Sequence, residues 1–321
     1  MNQNYNNNKL SKKFSNPHKT ADGSTRATVV LSKLQTLWFN TGTQCNLKCS
    51  NCYIESSPIN NRLLYMEPDD IIPYLNEIKS LKLGTKDIAF TGGEPFLNPN
   101  IILLLEEVLG RGHKTLVLTN AMKPMMKLKD ELIEIKKSYG QMLSLRVSVD
   151  HYTERLHAKE RGERSWEVLC EGLKWLNKNN FSFTVAGRTR WNETEQSLKK
   201  GFQNLFDKLE ISLNAENSDE LILFPEMYKN KDVPEITDQC WKTLGVSPQN
   251  MMCATSRMIV KRRETEKTVI MPCTLLAYDT NFELGQKLEH SQGSVSLNHP
   301  HCSRFCVLGG GSCESKIEGE G

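Results

Sequence analysis

The chain has 321 residues and a formal net charge of +3, long enough for one large α/β unit or two ordinary domains. That charge is too small to argue for nucleic acid, and the longest apolar run, Ile101 to Leu105, is too short to span a membrane. No signal peptide is visible, so a cytoplasmic setting is expected, where ten cysteines read as metal ligands or buried thiols rather than disulfides.

Residues 1–27 are polar and read as a mobile tail, with too little apolar surface to offset ordering entropy. Thr36–Asn40 reads as a first strand that delivers the stretch Cys45-Asn46-Leu47-Lys48-Cys49-Ser50-Asn51-Cys52. Three thiols fall within eight residues, and the next cysteine in the chain is Cys170. Thiolates are the usual ligands of iron–sulfur clusters, and three of them leave one iron of a four-iron cluster open. A structural zinc loop and a conventional ferredoxin site are the alternatives; zinc would ask for a matching pair further on.

Glu67-Pro68-Asp69-Asp70 opens a helix, with proline in the first turn and acids at its positive end. Ile71, Leu75 and Ile78 follow at helical spacing. Lys86–Phe90 is a second strand, and 100–109 is a helix stopped by Gly110 and Gly112. The unit then repeats: strand 115–118, helix 125–139, strand 143–149, and a helix that Ser165 can cap. Strand 181–186, a helix striped by Leu198, Phe202, Leu205 and Leu209, and strand 221–224 complete it. Strand–helix alternation predicts a parallel sheet with right-handed crossovers. The rhythm breaks near residue 226. Met258–Val260 and Thr268–Ile270 read as a hairpin, with Lys261-Arg262-Arg263 as a solvated turn between them. Ile317–Gly321 reads as a frayed tail.

Cys-x-x-x-Cys-x-x-Cys after a strand resembles the signature of the radical S-adenosylmethionine superfamily. Phe90-Thr91-Gly92-Gly93-Glu94-Pro95 is similar to its Gly-Gly-Glu-Pro motif, and Leu118-Thr119-Asn120 and Arg146-Val147-Ser148-Val149-Asp150 to its next two strand ends. The ordered set is far more specific than any one piece. The resemblance covers roughly 36–225 and implies an incomplete TIM-like (β/α)6 barrel. It also implies a 4Fe-4S cluster on Cys45, Cys49 and Cys52, whose open iron is chelated by the methionine part of S-adenosylmethionine. An electron would cleave the sulfonium, and the resulting 5′-deoxyadenosyl radical would remove hydrogen from a peptide or small molecule. A flavodoxin or ferredoxin would supply the electron.

Gly92 and Gly93 lack side chains, so backbone could approach a ligand closely. Glu94 could accept from the methionine ammonium, with Pro95 in the same turn; a tight turn capping the next helix is the plainer role. Ser148, Asp150, Thr119 and Asn120 sit at strand ends, where relatives contact ribose or carboxylate; local turns are the alternative. Arg188 could pair with the methionine carboxylate or stay solvated. Many relatives place an aromatic residue just before the third cysteine. Here that position is Asn51, and Tyr53 follows the cysteine.

Cys253, Cys273, Cys302, Cys306 and Cys313 are similar in arrangement to the SPASM or twitch extension, which carries auxiliary clusters. Five thiols suffice for one auxiliary 4Fe-4S cluster, with structural zinc as the alternative. Cys170 reads as a small buried hydrophobe, Cys240 is ambiguous, and His299 and His301 read as surface residues. The expected division is a tail over 1–27, the barrel over 28–225, a cysteine-rich second domain over 226–316 and a tail over 317–321. The rival reading is a non-catalytic iron–sulfur or zinc protein that carries electrons or binds nucleotide. An electron carrier needs neither the Gly-Gly-Glu-Pro turn nor the Ser-x-Asp strand end.

Overall fold

The computed structural model describes residues 13–227 and 232–312. Its centre is a parallel ladder of strands whose apolar residues alternate between two faces. In chain order the first strands of the molecule are β1 (Thr28–Val29), which lies outside that ladder, β2 (Thr36–Asn40), β3 (Asp87–Thr91), β4 (Lys114–Thr119), β5 (Leu143–Ser148), β6 (Ser182–Arg188) and β7 (Leu221–Phe224). The later strands are β8 (Ser256–Lys261), β9 (Thr268–Met271) and β10 (Val295–Ser296). The main sheet has eight strands in the order β7-β6-β5-β4-β3-β2-β8-β9. β2 through β7 pair parallel, as the alternation of strands and helices requires.

The connecting helices are α1 (Pro68–Ser80), α2 (Ile101–Gly110), α3 (Lys123–Lys127), α4 (Lys129–Tyr139), α5 (Glu154–Arg161), α6 (Ser165–Lys178) and α7 (Glu195–Lys208). A further helix, α8 (Asp238–Leu244), follows β7. The single helix expected over 125–139 is broken at Leu128, the cap residue of both α3 and α4. Ser165 does not cap α6 through an N–H; it is the first helical residue and its hydroxyl donates to the Gly162 carbonyl at 2.6 Å.

Side chains one apart on a strand point to opposite faces, and here the two faces build two cores. Leu37 and Phe39 of β2, Ile88 and Phe90 of β3 and Ile259 of β8 pack on the helix layer. Trp38, Ala89, Met258 and Val260 point the other way, onto Cys273, Leu275, Leu276, Phe282 and Phe305. The segment after β7 thus fills the inner face of the incomplete barrel.

The expected hairpin forms as the antiparallel pair β8–β9, but it joins the barrel sheet. β8 runs parallel to β2, with Thr36 opposite Ser256 and Phe39 opposite Ile259. The basic turn is not solvated throughout: Arg262 is buried and donates to the Glu283 carboxylate and the Ala277 carbonyl, each at 2.8 Å.

Residues 13–27 depart from the expected mobile tail. Arg26 is buried and donates to the carbonyls of Asn16, Lys19 and Leu297 and to the Glu235 carboxylate. β1 then pairs with β10, and Ala27 and Val29 share a small core with Ile236, Cys253 and Val307. Residues 1–12 and the expected tail at 317–321 lie outside the described residues.

Candidate active site

β2, β3, β4, β5 and β6 all end at one edge of the sheet, and the loop after β2 lies across those ends. Five strand-end contacts hold it there. The Gly93 N–H donates to the Gly42 carbonyl at 2.8 Å, and the Glu94 N–H to the Gln44 carbonyl at 3.0 Å. Asn120 Nδ2 donates to Asn46 Oδ1 at 2.9 Å, and Arg188 Nη1 to the Asn51 carbonyl at 2.8 Å. Beyond β7, the Pro225 carbonyl accepts from the Tyr53 hydroxyl at 2.9 Å. On the far side, Ser50 donates through its N–H and its hydroxyl to Glu160 of α5.

This mounting explains the paired glycines. A Cβ at Gly93 would stand 1.9 Å from the Gln44 carbonyl oxygen, and one at Gly92, whose φ is +138°, 2.4 Å from that of Gly42. Both positions therefore admit only glycine. The close approach the sequence suggested is to the cysteine loop itself, although both glycines also line the cavity beside it.

Cys45, Cys49 and Cys52 line that cavity together with Gly92, Gly93, Thr119, Asn120, Ser148, Asp150 and Arg188. Cys45 Sγ accepts the Leu47 N–H at 3.4 Å, a contact that favours its thiolate, and Cys52 Sγ accepts the Ser56 N–H at 3.3 Å. Burial pushes the Cys45 thiol up to about 12 and raises Cys49 as well. Free of metal, both stay protonated, and iron would displace those protons. Among the described residues no three Cys, His, Asp or Glu side chains converge to hold one metal ion. The cysteines of a four-iron cluster bind different irons, so a cluster does not require that convergence.

Glu94 is buried just behind the lining. It accepts from the Thr119 hydroxyl and the Asn120 N–H, each at 2.8 Å, and from the Phe96 N–H at 3.3 Å. Burial drives its carboxyl up to about 7 against those three donors. Pro95 opens the short turn that Glu94 caps. The Thr119 hydroxyl and Asn120 Oδ1 also accept the N–H groups of Ala121 and Met122. These strand-end residues therefore organise local turns as well as lining the cavity.

Asp150 is buried against Arg161: Nε donates at 2.7 Å and Nη2 at 3.3 Å. Burial alone would raise the Asp150 carboxyl, but the guanidinium holds it below the usual range. Arg161 lines the cavity and was missed in the sequence. Its helix α5 carries mostly polar residues and lacks an apolar stripe that would reveal it. Arg188 is buried, not solvated. It pairs with Glu226 at 3.2 Å, and its guanidinium lies 4.5 Å from the Tyr53 ring centre. Two buried nitrogens on lining residues, Arg188 Nε and Asn51 Nδ2, have no hydrogen-bond partner among the described residues. Such orphaned donors suit a polar ligand in the cavity.

Of the C-terminal thiols, Cys253 precedes β8 and Cys273 follows β9, both buried. Cys302 and Cys306 lie on a π-helix over Cys302–Val307, and Cys313 lies outside the described residues. Cys253, Cys302 and Cys306 share one small core, and Cys306 also packs against the core that holds Cys273. Burial, reinforced by the neighbouring Cys253, pushes the Cys302 thiol up to about 12. Cys170 is half-buried on α6, and Cys240 on α8 is within 3.4 Å of Thr237. His299 and His301 are half-buried and line a second cavity of about 640 Å³ on the other side of Asn51, Cys52 and Tyr53.

An incomplete parallel barrel with a three-cysteine loop over its strand ends is the frame of an enzyme that works on a small cofactor at those ends. The profile of the radical SAM superfamily matches residues 39–199, and the chain belongs to that superfamily. Its members use a four-iron cluster and S-adenosylmethionine.

Among curated proteins, the chain is similar to the antilisterial bacteriocin subtilosin biosynthesis protein AlbA of Bacillus subtilis, 30% identical over 148 residues. That match covers 44% of this chain and 30% of AlbA. It is also similar to a probable GTP 3′,8-cyclase of Methanocaldococcus jannaschii, 29% identical over 143 residues, 44% of this chain and 45% of the cyclase. The chain thus spans less than half the length of either relative. Among solved structures, Streptococcus suis SuiB bound to its precursor peptide SuiA shares the fold at a TM-score of 0.58 and 16% identity, over 80% of this chain and 63% of SuiB. Native anSMEcpe with bound AdoMet does so at 0.56 and 14%, over 80% of this chain and 79% of that one.

No helix among the described residues is long and apolar enough to cross a membrane.

Proposed function

We propose that the chain reductively cleaves S-adenosylmethionine at a four-iron cluster on Cys45, Cys49 and Cys52 and uses the radical to take hydrogen from a peptide. The observation that carries this reading is the shared cavity: the three thiols, the Gly92–Gly93 turn, Asp150, Arg161 and Arg188 all line it. When bound, the cluster supplies the electron that breaks the sulfonium bond. The chain's own residues bind and orient. Arg188 and Asn51 offer unpartnered donors, Ser148 and Asp150 offer acceptors at the end of β5, and Tyr53, Phe224 and Leu118 give apolar surface for a base. Glu94 fixes Thr119 and Asn120 and keeps acceptor capacity for an ammonium, since a carboxylate has about four lone-pair sites and three donors are in place.

A peptide is favoured over a nucleotide because AlbA, at 30% identity, is described by its part in making a bacteriocin. The cyclase relative supports the small-molecule alternative. The reading also takes residues 226–316 as a cysteine-rich extension whose thiols, Cys253, Cys273, Cys302, Cys306 and Cys313, hold one auxiliary cluster. A flavodoxin- or ferredoxin-type reductase and a reducing cytoplasm complete it.

The test is anaerobic: reconstitute the protein with iron and sulfide, reduce with dithionite, add S-adenosylmethionine and measure 5′-deoxyadenosine. The parent should form it, and the Cys45/Cys49/Cys52→Ala triple variant should not. Undiminished product from the triple variant would overturn the assignment and favour the non-catalytic alternative for this loop.

A further inference from the structure

One charged group in the cavity wall has no part in binding so far. Arg161 ends α5, and its side chain is 10% exposed. Its Nε and Nη2 form a fork on Asp150, at 2.7 and 3.3 Å, which fixes the plane of the guanidinium. The same side chain lines the cavity with Cys45, Cys49 and Cys52. We propose that Arg161, aimed by Asp150, is the fixed cation that sets the reduction potential of the cluster held by Cys45, Cys49 and Cys52.

This inference rests on the reading that those thiols hold the cluster. Reduction adds one electron, delivered by an external one-electron donor of the flavodoxin or ferredoxin class, to a group already anionic through its three thiolates. In a wall of low dielectric, a positive charge that cannot turn away stabilises the reduced form. Arg161 and Asp150 form a dipole, and its direction matters. Arg161 also lines an adjoining cavity together with Asn46 and Leu47 of the cysteine loop, and Asp150 does not. The positive end of the pair therefore lies against the cysteine loop. The other cation lining the cavity among the described residues, Arg188, is committed to the Asn51 carbonyl and to Glu226, which also faces Arg190 at 4.0 Å. His157, one turn before Arg161, is fully buried and held neutral, so it adds no charge.

The experiment is a redox titration of the anaerobically reconstituted full chain, followed by paramagnetic resonance without S-adenosylmethionine. Iron content and cofactor affinity are measured separately. Arg161→Gln removes the cation and should move the midpoint to more negative potential. Arg161→Lys keeps the charge and should stay closer to the parent than the Gln variant. Asp150→Asn removes the opposing charge and should move the midpoint the other way, a sign reversal that a purely structural role does not produce. An unmoved midpoint in Arg161→Gln, or shifts of the same sign in Arg161→Gln and Asp150→Asn, overturns the proposal. Where Arg161→Gln retains no iron, Asp150→Asn decides: a positive shift supports the proposal, and none or a negative one overturns it. A parent chain that takes up no iron would instead sink the cluster reading on which the proposal stands.

Discussion

At the scale of the residue, Glu94 is the most informative group. Its carboxyl titrates near 7 in the folded protein against an ordinary 4.5. Below about pH 4.5 folded and unfolded states both hold the proton. Between there and about 7 the unfolded chain releases it and the folded one keeps it, so stability falls as pH rises. At about 1.4 kcal/mol per unit, the cost above that window is about 3 kcal/mol. In cluster-free protein, the unfolding free energy of the parent relative to Glu94→Gln should therefore decline across pH 4.5–7, as measured by urea titration. A difference independent of pH would contradict the buried, proton-holding carboxyl. Glu94 stood out in the sequence only through its motif. Two of its three donors, the Thr119 hydroxyl and the Asn120 N–H, come from the end of β4, twenty-five and twenty-six residues later, and no local pattern announces them. Arg161 was hidden for the opposite reason: it looks like any arginine at the end of a polar helix, and only tertiary placement turns it inward.

At the scale of the element, the turn after β3 is a bracket for the cysteine loop. Gly93→Ala would drive a Cβ into backbone, not into a side chain that can move. The loop must shift, at a cost of ~1–3 kcal/mol, and the protein should retain less iron after reconstitution. Gly293→Ala is the control, since it meets nothing within 4 Å and needs no unusual backbone; it should cost less than about 0.5 kcal/mol. Equal thermal stability and equal iron in the two variants would refute the bracket. Strands β2 to β7 were legible because buried parallel strands are short apolar runs, such as Ile88–Phe90, or alternate as Leu143–Ser148 does, between helix stripes. The edge to which the β8–β9 hairpin adds was not legible. Pairing of Trp38 with Met258 spans some two hundred residues, and a hairpin sequence carries no address for its neighbour. The π-helix that carries Cys302 and Cys306 has no apolar period of its own.

At the scale of the whole molecule, residues 13–29 form a strap on the segment after β7: Arg26 pairs with Glu235, Ala27 and Val29 pack with Ile236, and β1 pairs with β10. Its composition is that of a tail, yet one buried arginine, paired with Glu235 at 2.5 Å, organises it. Arg26→Ala would leave Glu235 buried without its cation, a loss of ~3–5 kcal/mol for a broken buried pair. Limited proteolysis should then cut within residues 13–27 far faster than in the parent. A loss below about 1 kcal/mol, the scale of a surface pair, would mean the strap is not structural. The strap and the π-helix both reach the end of the cysteine loop: Lys13, Phe14 and Ser15 line a cavity with Asn51, Cys52 and Tyr53, and Phe305 packs edge-on against Tyr53 at 5.6 Å. In the function proposed above, Cys45, Cys49 and Cys52 hold a cluster with one open iron that binds S-adenosylmethionine. Paramagnetic resonance of the dithionite-reduced protein, recorded with and without S-adenosylmethionine, tests this most directly. The account predicts a signal whose g-values shift when the cofactor is added and which is missing from the Cys45/Cys49/Cys52→Ala variant. A signal unmoved by the cofactor, or unchanged in that variant, would contradict it.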